Sequence, residues 1–117
     1  MDRLMRLEHD RARGTVTFDS FSRRLKSAIK YMLPVDCNLE EYHKGYFFIC
    51  GFISRSDGRI IYFNVEDFRW WDKNTSVMYR FADSLDDYTG YTNHFTDIPN
   101  LVKSMVNVKF TKMEKRF

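Results

Sequence analysis

Residues 46–65, YFFICGFISRSDGRIIYFNV, decide the fold. The nearly continuous apolar run over 46–54 has the length of a strand and reads as one that is central in a sheet. Ser56-Asp57-Gly58 then supplies a tight hairpin, because Gly58 takes a positive φ without steric cost, and residues 59–65 return as the next strand. Upstream, Val35, Cys37 and Leu39 alternate with Asp36, Asn38 and Glu40, a half-buried strand that ends near Lys44-Gly45. Downstream, Val77, Tyr79 and Phe81 alternate with Met78 and Arg80. They predict a fourth strand over 76–82 and leave 66–75 as a connection that carries Phe68, Trp70 and Trp71.

A helix flanks these strands on each side. Residues 15–32 place Phe21, Leu25, Ala28, Ile29 and Met32 on one stripe, with Thr17 or Asp19 as cap and Leu33-Pro34 as stop. Arg23, Arg24, Lys26 and Lys30 fall off that stripe. Residues 83–96 show neither period, and their Asp, Thr, Asn and Gly content predicts an ordered loop whose side chains bond their own backbone. Thr96 or Asp97 caps a second helix with Pro99 in its first turn and Ile98, Leu101, Val102, Met105 and Val106 on its apolar stripe. Val108 and Phe110, alternating with lysines, suggest a short last strand. The expectation is a single α+β domain over 1–117, with flexible ends at 1–14 and 112–117. Its order is helix, antiparallel meander of three or four strands, helix, with both helices on one sheet face in a two-layer sandwich.

Composition agrees with a folded domain, since 44% of the 117 residues are hydrophobic and 17% aromatic. No apolar run approaches the roughly 20 residues that cross a bilayer. The charged first fourteen residues lack the apolar core of a secretory signal, so a cytoplasmic protein without membrane contact is expected. Cys37 and Cys50 have no metal-type spacing and read as buried thiols in a reducing compartment. The net charge of +3 hides a division: residues 1–30 and 101–117 each carry +4, and residues 31–100 carry −5. The basic ends suit nucleic acid or an acidic partner, and the acidic middle suits a basic protein surface.

Residues that could carry chemistry are scattered. His9, His43 and His94 lie far apart, and no close-spaced ligand pair accompanies either cysteine, so no metal site is assigned. Cys50 sits inside an apolar strand, where burial disfavours the thiolate. Asp83, Asp86 and Asp87 have the chemistry of a general acid and base or of Mg²⁺ ligands, but no phosphate-binding glycine loop accompanies them. No catalytic residue and no cofactor is assigned, and a non-enzymatic protein is expected. Interaction is the stronger reading of the same segment. Arg69, Trp70 and Trp71 are of the types that anchor interfaces, and with Asp83, Asp86, Asp87, Tyr88, Tyr91 and Asn93 they form a partner-binding set. One alternative is a nucleic-acid-binding protein that uses Arg23, Arg24, Lys26, Lys30 and the C-terminal tail. Another makes the loop a small-ligand pocket.

The helix–meander–helix order resembles double-stranded-RNA-binding domains in topology. Those domains grip phosphates with a lysine cluster at the start of the second helix, whereas this one begins Asp97-Ile98-Pro99-Asn100 and has only Lys103. A second resemblance is carried by Tyr62-Phe63, Asp67-Phe68-Arg69, Arg80-Phe81-Ala82 and Asp86-Asp87-Tyr88-Thr89-Gly90-Tyr91-Thr92-Asn93. Over about residues 60–105 this pattern resembles small accessory proteins of phages and mobile elements of low-GC Gram-positive bacteria. Their commoner form has a second glycine after Gly90, where this chain has Tyr91. Such proteins often bind host defence machinery, and single-domain α+β anti-CRISPR inhibitors are among them. The resemblance thus implies a partner in the bacterial cytoplasm, a host defence protein such as a CRISPR-associated nuclease, blocked by occupancy of its functional surface.

Overall fold

A computed structural model of the chain describes residues 1–66, 77–88, 91–108 and 110. Helices α1 (Arg3–Ala12) and α2 (Phe18–Met32) precede five strands: β1 (Cys37–Lys44), β2 (Phe48–Arg55), β3 (Ile60–Glu66), β4 (Val77–Ala82) and β5 (His94–Thr96). A C-terminal π-helix, Lys103–Val108, follows. The strands form one antiparallel meander in chain order. The α+β class and the packing of helices on one sheet face agree with the sequence.

The first helix corrects an expectation. Residues 1–14 are not a loose end. Asp2 caps α1 by accepting the Met5 N–H at 2.8 Å, and Leu4 and Leu7, one turn apart, are fully buried in the main core. Gly14, at φ 73°, turns the chain into α2. Thr17 is the α2 cap, accepting the Ser20 N–H at 3.1 Å. Phe21, Leu25, Ala28 and Ile29 then face Ile49 and Ile53 of β2, Ile61, Phe63 and Val65 of β3, and Val77, Tyr79 and Phe81 of β4.

The C-terminal segment adds a second correction. Asp97 accepts the Asn100 N–H at 2.9 Å, as a capping residue should, and Ile98, Leu101, Val102, Met105 and Val106 are buried as the stripe requires. The backbone nevertheless widens into a π-helix, and Leu101 and Val106 stand five residues apart, the spacing of an i→i+5 turn. Val108 and Phe110 form no strand. Val108 ends the π-helix, and Phe110 is fully buried beside Phe81. The Phe110 carbonyl accepts from Arg55 at 3.1 Å and from Arg59 at 2.6 Å. A buried ring in the core gains more than a few hydrogen bonds at an exposed sheet edge. The third correction is β5: its three residues pair with β4 through Val77, Met78 and Tyr79, inside what the sequence presents as loop.

Replacing Leu7 by Ala should lower stability by roughly 2–5 kcal/mol, because it empties a closed core site. A urea midpoint unchanged from wild type would show that α1 is not integral. Asp57, in the β2–β3 turn, is held down to about 2 by its Arg55 hydrogen bond and the Arg59 backbone N–H. Its folded value lies below the unfolded value of about 4, so its stabilisation is complete above that pH and is lost as pH falls through its folded value. Asp57→Asn should therefore lower stability throughout the neutral and alkaline range and flatten the acid side of a stability–pH curve, the difference from wild type vanishing at low pH.

Candidate functional site

Strand alternation divides the sheet into a face that meets the helices and an open face. The open face carries Cys50 and Phe52 of β2, Tyr62 and Asn64 of β3, and Met78 and Arg80 of β4. Cys50, Phe52, Tyr62 and Ala82 form a second, smaller apolar cluster there. The segment after β4 folds back to cover it. Asp87 accepts the Asp83 backbone N–H at 2.9 Å, the Ser84 hydroxyl donates to Asp86 at 2.5 Å, and the Tyr91 hydroxyl donates to Asp83 at 2.7 Å. These bonds turn the chain so that Tyr88 sits edge-on to Phe52 and Tyr62, with ring centroids 5.7 and 5.5 Å away.

Arg80 holds this arrangement from beneath. Its side chain is buried, its guanidinium lies 4.7 Å from the Tyr62 ring centroid, and it donates to the Tyr88 carbonyl and to Asn93 Oδ1. Among the described residues no carboxylate pairs with it, and its Nε has no hydrogen-bond partner. A guanidinium can tie two points of a loop together because its donors form a planar fork.

Of the segment proposed from sequence, Asp83, Asp86, Asp87, Tyr91 and Asn93 bond within the loop or to Arg80. Asp83, Asp86, Tyr88 and Asn93 are exposed, Tyr88 to 55%. Arg69, Trp70 and Trp71 lie outside the described residues. Beside Tyr88 a hollow of about 600 Å³ opens over β1–β3. Its walls are Phe48, Tyr62 and Tyr88, and Glu41, His43 and Asn64 supply polar groups. Cys50 lies at its base, and burial raises the Cys50 thiol and Tyr62 phenol above their ordinary values, so both remain protonated at neutral pH.

Sequence reading missed Glu41 and His43 because a bulge, opposite Gly51, shifts the register between Glu40 and His43. Glu41 adopts φ 51°, a conformation that costs a side-chain-bearing residue energy. The bulge sends Tyr42 to the helical side, where its hydroxyl donates to the Ser22 carbonyl at 2.8 Å, and leaves Glu41 and His43 beside the hollow. Tyr62 and Asn64, two apart on β3, face the same hollow. Their convergence with β1 was not legible in the sequence.

The basic residues occupy the opposite side. Arg23 and Lys30 are exposed on α2, Arg24 pairs with Asp10 of α1 at 2.8 Å, and Lys26 stands over the Tyr42 ring at 5.7 Å. Arg3 and Arg6 join Arg24 around a groove of about 160 Å³ between the helices. Among the described residues, no three His, Cys, Asp or Glu side chains converge as a metal site would require, and no helix is long and apolar enough to cross a membrane. No protein-family model matches the chain, and no significant match was found among curated proteins or solved structures.

Arg80→Lys keeps the charge and loses the fork. It should cost roughly 1–3 kcal/mol, because a buried acceptor loses its donor, and should speed amide exchange at residues 84–88. Unchanged exchange there would show that the loop does not depend on Arg80.

Proposed function

We propose that the protein is a small, non-enzymatic binding protein that inhibits a basic partner by covering its functional surface with the open sheet face. The observation that carries this reading is the charge of that face. At strand positions pointing outward it presents Glu40, Glu41 and Glu66, and the adjoining loop adds Asp86. Among the described strand positions of this face the single Lys or Arg is Arg80, which is buried. Exposed Phe95 and Tyr88 add apolar area, so the face combines aromatic anchors with acidic groups. Such a surface competes with phosphates for lysines and arginines, as an inhibitor occupying a nuclease's nucleic-acid channel must. A bacterial defence nuclease of the CRISPR-associated kind, the partner implied by the resemblance of residues 60–105, fits this chemistry.

A second reading places the site on the helices, where Arg3 and Arg6 extend the basic side of α2 around the interhelical groove. There the chain would bind nucleic acid through phosphates.

The two readings separate in one experiment. Purified CRISPR-associated nucleases are tested for a stoichiometric complex and for loss of cleavage, with Asp86→Lys and, separately, Arg23→Glu with Lys30→Glu. Asp86 is the informative loop residue, since among the described residues its carboxylate holds the Ser84 hydroxyl alone, whereas Asp83 and Asp87 brace the loop to Tyr91 and to the Asp83 backbone. The open-face reading expects Asp86→Lys to weaken the complex by about tenfold or more, the cost of one like-charge contact, with the helix variant unaffected. Salt-sensitive nucleic-acid binding, abolished by the helix variant and indifferent to Asp86, would overturn it.

A further inference from the structure

We infer that the hollow over β1–β3 is a receptor for one guanidinium group, an arginine side chain of the partner. The inference rests on the open-face reading and adds what that face recognises. Three features of the hollow select this chemistry.

The first is an unspent carboxylate. Glu41 lines the hollow, and among the described residues its carboxylate makes neither a hydrogen bond nor an ion pair. It is held there by a bulge with a positive φ that a glutamate adopts at a cost, so the backbone is strained at the residue that carries the charge. The second is the surplus of acceptors. Asn64 donates its Nδ2–H to the Tyr62 hydroxyl at 3.1 Å, which leaves its carbonyl oxygen as a further acceptor in the lining of the hollow, across β2 from Glu41. The third is the set of flat walls. Phe48 and Tyr88 offer ring surface on which a planar cation stacks. The fold already pairs these groups once, in the Arg80 guanidinium over Tyr62.

Competing ligands fit less well. A lysine ammonium has neither a plane to stack on Phe48 and Tyr88 nor a planar fork for the Glu41 carboxylate. A nucleotide would stack, but its phosphate would meet Glu40, Glu41 and Glu66 with no exposed cation on the described strands to receive it. Arg80 also sets a condition: with that positive charge beneath Tyr62, an incoming cation depends on the Glu41 carboxylate. Gln at position 41 keeps the shape and removes the charge.

The test is an amide NMR titration of the intact chain with Nα-acetylarginine amide, its lysine and citrulline counterparts, and AMP. The arginine compound should shift the Cys50, Tyr62 and Asn64 amides saturably. The lysine compound should bind about tenfold more weakly and the neutral citrulline compound not at all. Glu41→Gln, its melting temperature confirming the fold, should weaken the arginine compound by about tenfold. No shift with arginine, equal binding of lysine, tighter binding of AMP, or indifference to Glu41→Gln would each overturn the inference. Shifts with arginine but no nuclease complex would sustain the receptor and retire the proposed partner. A complex without arginine shifts would do the reverse.

Discussion

The central hairpin is apolar on both faces, and two helices can cover one of them. That constraint organises the molecule. Ile49, Ile53, Ile61, Phe63 and Val65 point to one side and Cys50, Phe52 and Tyr62 to the other, because successive side chains of a strand alternate. The helices close the first side, with Leu4, Leu7 and the α2 stripe at one end and the π-helix and Phe110 at the other. On the second side the loop after β4 contributes Leu85, packed against the smaller cluster, and Tyr88, whose ring meets Phe52 and Tyr62. Leu85 and Tyr88 lie against this second apolar face because it needs cover.

Covering that face with a loop brings polar groups against it, and Arg80 reconciles the two. Its apolar stem lies along the cluster while its head satisfies the Tyr88 carbonyl and Asn93. A buried guanidinium without a carboxylate partner among the described residues is costly to keep, so the loop geometry that it supports has its own energetic demand. The β1 bulge is a comparable departure from regular sheet chemistry. It places Tyr42 against the core, where burial pushes its phenol up to about 12, and turns Glu41 toward solvent in a strained conformation beside the hollow. Arg80 reaches that hollow through Tyr62 and Tyr88, which line it.

The two layers also separate charge. The helical layer exposes cations, and the open face exposes carboxylates around aromatic rings. A partner of one sign therefore meets this molecule in one orientation.

Local sequence was enough for several elements. The 46–65 hairpin, the α2 stripe and the two helix starts, each to within two candidate caps, were legible because each depends on residues within one or two turns of each other. Asp83, Asp86, Asp87 and Tyr88 were recognisable as notable members of the segment after β4. Their hydrogen-bond partners were not, because the hold on Tyr88 depends on Arg80 reaching its carbonyl from the neighbouring strand. The placement of α1 followed from a core that Leu4 and Leu7 help to fill. The three residues of β5 are too few to show a period, and only the free edge of β4 makes them a strand. Glu41 in the hollow required the β1–β2 register, which no local pattern encodes. The sequence by itself determined the class, the central strands and the two capped helix starts, because periodicity and capping are short-range. Tertiary structure decided the ends, the edge strand and the site, because these form where segments distant in the chain must share one core or one sheet face.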